Sequence, residues 1–222
     1  MVVFDLDGVL IDSESTWDEA RRTVTSEWGG HWTASATRDM MGMSSVEWSR
    51  YLRDRLDVAR DPAAIAAAVE ARVLESLGAR VPWIDGGPEA VKRLASGRPV
   101  AIASSANRSV IDLVVERGGL GGAVSATVSS EEVPRGKPAP DVYLEAARRL
   151  GLDPSAGVAI EDSTNGLRSA WQAGFAVVAF PNRRFPPDPD AVRLAASVIS
   201  SLDELTGELL QAVLHRPAPD RP

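Results

Sequence analysis

The chain has 222 residues, 44% of them hydrophobic and 25% charged, with a formal net charge of -7 and a pI near 5.0. That length can bury a full core as one domain with a modest insertion, the acidity argues against a general nucleic-acid binder, and the lack of cysteine excludes disulfides, thiolate catalysis and zinc–thiolate sites. No basic n-region with an apolar stretch opens the chain and no run is long enough to span a bilayer, so a cytoplasmic protein without membrane partners is expected, monomeric by default.

The first apolar run, Val2-Val3-Phe4-Asp5-Leu6-Asp7-Gly8-Val9, predicts a short buried strand ended by two acids and a glycine. Two carboxylates at a buried strand end repel each other unless a cation or a proton compensates. Ligands bind at the carboxyl ends of strands in an open α/β sheet. The pair therefore suggests a Mg²⁺ site with a nucleophilic acid beside a proton-shuttling one; a pair that merely caps a loop is the plain alternative.

From Glu14 to Gly78 the pattern turns helical. Trp17, Ala20, Val24 and Trp28 recur at helical spacing, as do Trp48, Tyr51, Leu52 and Leu56, and a third stripe from Ile65 to Leu77 follows Asp61-Pro62. The aromatic stripe reads as core packing, and Arg21, Arg22 and Arg50 as solvated helix-face charges, with Arg38 the best placed of the four to reach a ligand. From Val81 onward strands and helices alternate. Strands are expected at Pro99–Ala103, Ala123–Val128, Val158–Ile160, Gly174–Ala179 and Ser197–Ile199, with helices following Gly86, Asn107, Pro138, Gly166 and Ser201. Alternation of this kind implies a parallel sheet covered on both faces. The expected architecture is thus an α/β, Rossmann-like, doubly wound parallel sheet from residues 1–13 and 79–214, with a tetrahelical cap, residues 14–78, inserted after the first strand. Residues 215–222 read as a disordered tail. The segments near 11–13 and 78–82 would then be hinges.

The groups that end successive strands matter most: Asp5 and Asp7, then Ser104 and Ser105, then Glu161 and Asp162. Only two of the 24 basic residues are lysines, Lys92 and Lys137, and Lys137 precedes a predicted helix start. Strand ends converge on one edge of a parallel sheet, and together these groups supply what phosphoryl transfer needs. Each also has a structural reading. Ser104-Ser105 could cap a helix, Lys137 could be a loop lysine, and Glu161-Asp162 could complement a helix dipole. Caps and turns account for Asp12, Asn107, Ser163 and Asn165, and a surface or packing role accounts for His31 and His215.

Asp5-Leu6-Asp7-Gly8-Val9, Ala103-Ser104-Ser105-Ala106-Asn107, Arg135-Gly136-Lys137-Pro138 and Ile160-Glu161-Asp162-Ser163 resemble, in order, the four motifs of the haloacid dehalogenase superfamily, in the style of its phosphoglycolate-phosphatase-like and β-phosphoglucomutase-like members. The resemblance implies an aspartyl-phosphate on Asp5 and proton transfer by Asp7. It implies Mg²⁺ held by Asp5, the Asp7 backbone carbonyl and Asp162, with Glu161 acting through water. Ser104, the Ser105 backbone and Lys137 would hold phosphate. Such a protein would be a Mg²⁺-dependent phosphatase for a small phosphate ester. Asp7 argues against a dehalogenase, and the absence of lysine between residues 14 and 80 against a Schiff-base route. Mutase-like relatives carry a histidine where Trp17 stands and cations where Met41 and Ser45 stand, which disfavours but does not remove a sugar phosphomutase. The same substitutions hint at a less anionic or partly apolar leaving group. A receiver-like phospho-acceptor switch is the more distant alternative.

Overall fold

The computed structural model describes residues 1–41 and 43–216; Gly42 and residues 217–222 of the tail expected at 215–222 lie outside the described residues. Six parallel strands, β1 (Val2–Phe4), β2 (Val100–Ser104), β3 (Ala126–Ser129), β4 (Val158–Glu161), β5 (Ala176–Ala179) and β6 (Ser197–Val198), lie in the order β3-β2-β1-β4-β5-β6. β1 is central, with Phe4 opposite Ile102 on one side and Ile160 on the other. The chain therefore winds one way from β1 to β3 and the other way from β4 to β6, and the strand order reverses between β1 and β4. The crevice at such a reversal is where open α/β sheets bind ligands.

Side-chain alternation along each strand divides the core in two. Val2, Phe4, Ile102, Ile160 and Val178 enter one apolar cluster, while Val3, Ala101, Ala103, Ala159 and Val177 enter the other. Helices α5 (Gly87–Ala95), α6 (Arg108–Arg117) and α10 (Gly207–Leu214) cover the first face. Helices α7 (Asp141–Leu150), α8 (Thr164–Gln172) and α9 (Pro189–Val192) cover the second, where the alanines leave room for Tyr143 and Phe175.

Four helices stand between β1 and α5: α1 (Glu14–Glu27), α2 (Ala36–Asp39), α3 (Ser45–Arg55) and α4 (Pro62–Ala79). Their starts follow local chemistry. Asp61 accepts from the Ala63 amide with Pro62 in the first turn of α4, and Glu47 accepts from the Ser44 amide at 2.8 Å at the start of α3. α4 packs against α1, α3 and α6, so the apolar core of this helical layer is continuous with the first sheet face. The chain enters and leaves the layer through two segments lying side by side, with Asp12 N–H donating to Pro82 O at 2.8 Å and Ile84 N–H to Leu10 O at 3.0 Å.

Some boundaries differ from those expected. The helix foreseen from Ser201 splits into a short 3₁₀ turn (Leu202–Glu204) and α10, because Ser201 and Thr206 each cap a separate start. α7 begins at Asp141 rather than Pro138, which leaves Lys137 in a loop, and the Lys137–Pro138 peptide is cis. Residues 123 and 124 bond back to Leu120 O in a turn, so β3 starts only at Ala126. The one-turn helices α2 and α9 were not expected.

Ile160 is fully buried beneath the crevice. Ile160→Ala should lower stability by about 2–5 kcal/mol, seen as a lower urea midpoint with an unchanged slope. A shift worth less than about 1 kcal/mol would show that the core beside β4 can collapse around the deletion.

Candidate active site

Where β1 and β4 end, the sheet order gathers three acids. Asp5 follows β1, Glu161 ends β4 and Asp162 follows it; their carboxylate oxygens lie within 4.8 Å of one another, and all three side chains are buried. Lys137 reaches into the group from its loop, donating to Asp5 Oδ1 at 2.7 Å, Glu161 Oε1 at 2.6 Å and the Ala103 carbonyl at 3.1 Å. Tyr143 of α7 donates to the same Glu161 oxygen at 2.8 Å, while Glu161 Oε2 accepts from the Asp162 amide at 3.1 Å. Glu161 is thereby held on both oxygens.

Two glycines make the cluster possible. Gly8, at φ +83°, lies so close to the Asp162 carboxylate that a Cβ would overlap it, and a Cβ on Gly166 would overlap the Glu161 carboxylate. Each acid occupies the space a side chain would have taken.

The electrostatics follow from burial. One lysine faces three carboxylates, and Asp5 is pushed up to about 8, by burial first and by the Glu161 charge next. Asp162 is raised well above the usual carboxylate range for the same reasons. Burial alone would lower Lys137, but Asp5 and Glu161 outweigh it and hold the ammonium above its ordinary range. An all-oxygen donor set carrying surplus negative charge suits a hard divalent cation, so the residues present fit Mg²⁺.

Asp7 sits beside this cluster, half-buried. It accepts from the Ser13 hydroxyl and from Trp17 Nε1 (3.2 Å) on one oxygen, and from the Ser104 hydroxyl (3.4 Å) on the other. Ser104 is fully buried and its oxygen also accepts from the Ala106 amide at 3.0 Å; it does not cap α6, whose N-cap residue is Asn107. Ser105 and Ala106 form the adjoining wall of a cavity of about 60 Å³, which Asp5, Asp7, Lys137, Asp162 and Ser163 also line. Ser163 accepts from the Gly166 amide and so caps α8 as expected.

The helical layer closes the cavity with Glu14, Trp17, Arg21, Met41, Met43 and Trp48. Two expectations are corrected here. Arg21 is not a solvated helix-face charge: it is 5% exposed, with its guanidinium carbon 5.4 Å from the ring centres of both Trp17 and Trp48. Trp17 packs in the core but also serves the site, through its bond to Asp7. The signal was available in the sequence, since Glu14, Trp17 and Arg21 share one face of α1 at steps of three and four. By contrast Arg38 is exposed and away from the cavity, Arg22 is exposed and pairs with Asp18, and Arg50 lines a separate groove. Asn107 is also more than a cap. Its buried side chain accepts from the Ser45 hydroxyl (2.8 Å) and donates to Glu131 (2.7 Å) and Glu70 (3.1 Å), tying the helical layer to the loop after β2. Asn165 approaches the Met41 carbonyl at 3.5 Å, Asp12 and His31 are exposed, and exposed His215 contacts the Gln211 carbonyl through Nδ1.

Comparison with known proteins finds relatives along most of the chain. A family profile for haloacid dehalogenase-like hydrolases matches residues 2–180. Hexitol phosphatase B of Escherichia coli (strain K12) is 33% identical over 217 residues, covering 93% of this chain and 94% of its own. Fructose-1-phosphate phosphatase of the same strain is 28% identical over 181 residues, covering 80% of this chain and 94% of its own. A crystal structure of β-phosphoglucomutase from Clostridium difficile has a TM-score of 0.83 over 96% of both chains at 18% identity, a likeness of fold.

Because burial and the neighbouring acids raise the Asp5 and Asp162 carboxyls, Mg²⁺ binding to the metal-free protein should release protons near pH 7. Affinity should rise as pH increases from about 6 towards 8 and flatten above, checked by calorimetry in buffers of differing ionisation heat. Absence of proton release would contradict the raised carboxyls. Gly166→Ala should keep the fold, by circular dichroism, while weakening Mg²⁺ binding about 10–100-fold by displacing Glu161.

Proposed function

The chain belongs to the haloacid dehalogenase-like hydrolases, and on that footing we propose that it is a Mg²⁺-dependent phosphatase acting on a small phosphate monoester through Asp5. The observation that carries the reading is the meeting of Asp5, Lys137, Glu161 and Asp162 with Asp7 around one small cavity at the strand-order reversal. The named activities of the hexitol and fructose-1-phosphate phosphatases support a polyhydroxylated leaving group.

In this mechanism the free oxygen of Asp5 attacks phosphorus while Lys137 fixes the other oxygen, Oδ1. The bond to the leaving oxygen breaks as Asp7 gives it a proton, leaving Asp5 phosphorylated and Asp7 ionised. Asp7 then takes a proton from a water that attacks phosphorus, which frees phosphate and restores both acids. Ser13, Trp17 and Ser104 hold the Asp7 carboxylate in place for both transfers. Asp5, Asp162 and the Asp7 backbone carbonyl would hold Mg²⁺, with Glu161 one water removed. When bound, the ion would neutralise charge on the phosphoryl oxygens. Lys137 carries the remaining charge, and Ser105 and Ala106 face the phosphate. The helical layer of residues 14–78 acts as a cap that excludes water, turning on the paired segments at 10–12 and 82–84.

A sugar phosphomutase would need to grip a second phosphate. Ser45, at one position where mutase-like relatives place a cation, is committed to Asn107, and the other such position is Met41. Hydrolysis is the better supported outcome.

Phosphate release from a panel of small esters with Mg²⁺ tests the proposal. Asp5→Asn should lower the rate by about 10³-fold or more, and Asp7→Asn by about 10²–10⁴-fold with an alkyl leaving group. An Asp5→Asn variant as active as the parent would end the reading. Chelation of divalent ions should stop release, and Mg²⁺ should restore it.

A further inference from the structure

One group in the cavity has no part in that chemistry. Arg21 is buried with its Nε and Nη1 lacking any hydrogen-bond partner among the described residues, and Glu14 Oε1, ion-paired with Nη1 at 3.6 Å, lacks one there too. That separation makes an ion pair but is too long for a good hydrogen bond, so two donors and an acceptor stand side by side with hydrogen-bonding capacity to spare in the wall facing Asp5 and Asp7. Buried polar groups are ordinarily satisfied, and orphans of opposite kind at one spot imply a ligand that donates and accepts at once. We infer that Arg21 and Glu14, flanked by Trp17 and Trp48, form the subsite for the leaving alcohol and recognise its hydroxyl groups.

The chemistry selects the class of ligand. A hydroxyl donates to Glu14 and accepts from Arg21, and a vicinal diol can engage both partners at once. The indole faces suit the C–H side of a short carbon chain. A second phosphate would be drawn by Arg21 but repelled by the Glu14 carboxylate beside it, so a neutral polyol fits better than a bisphosphate. This keeps the less anionic leaving group suggested by Trp17 and Met41 but makes it hydroxylated rather than apolar. The inference rests on the phosphatase reading for its meaning, but its binding claim stands apart from turnover.

The test compares kcat/KM for glycerol 1-phosphate with that for n-propyl phosphate, which has no free hydroxyl, in the parent, Arg21→Met, Arg21→Lys and Glu14→Gln proteins, each checked for folding by thermal unfolding. The parent should favour glycerol 1-phosphate by about tenfold or more, mainly through KM. Arg21→Met should reduce that preference to about threefold or less, and Arg21→Lys should restore part of it. An undiminished preference in a folded Arg21→Met protein would overturn the subsite. Should Arg21→Met fail to fold, Glu14→Gln decides: it should weaken the preference and raise turnover of fructose 1,6-bisphosphate relative to fructose 1-phosphate. A parent that prefers the bisphosphate would also overturn the inference, in favour of a second phosphate site. If the parent releases phosphate from no ester, the phosphatase reading fails, and tryptophan quenching by sorbitol 6-phosphate still judges the subsite: quenching weakened in Glu14→Gln and more in Arg21→Met than in Arg21→Lys supports it, and quenching unchanged in all three rejects it.

Discussion

A single ammonium group holds the centre of this molecule together. Lys137 bridges Asp5 and Glu161 in a site with almost no solvent contact, where two acids facing each other without a cation would be strongly disfavoured. Its own burial is tolerable only because both carboxylates face it. Three acids stand against one lysine, a donor set of the kind that suits a hard divalent ion. Tyr143 and the Asp162 amide take up the other contacts of Glu161, so that acid works as a fixed support rather than a free ligand.

This electrostatic knot needs room, which the backbone provides. Gly8 and Gly166 leave the space into which Asp162 and Glu161 fit, and the alanines of β2 and β4 on the second sheet face let α7 bring Tyr143 close. Stability and chemistry are therefore coupled at the end of β4. The strand that anchors the core through Ile160 also ends in the acids of the site.

Above the sheet edge, the helical layer contributes aromatic rings and one buried arginine to the same cavity. Asn107 connects the layer to the loop that follows β2, through Ser45 and Glu70, so the loop bearing Ser105 and the helices above it are fastened at one point. Trp17 links the layer to Asp7 directly. The orientation of Asp7 thus depends in part on where the helical layer sits over the sheet edge.

The strand ends and their acids were legible in the sequence because they depend on local pattern. A short apolar run ending in Asp-x-Asp-Gly, two further runs closed by polar pairs, and the near absence of lysine pointed to one edge of one sheet. Family membership followed from the same motifs. Local pattern also misled: Thr206 divided a helix that periodicity ran together. Arg21 was read as solvated because spacing along α1 gives the face of a residue but not what that face meets. Only the packing of α1 over the sheet edge, against Trp48 of α3, turned that face inward. Sequence by itself settled the family, the sheet and the chemical kinds of group at its edge, since these follow from short-range order. Which polar groups lie buried in the cavity without a hydrogen bond among the described residues was decided by tertiary structure alone, because burial and pairing belong to segments brought together from distant parts of the chain.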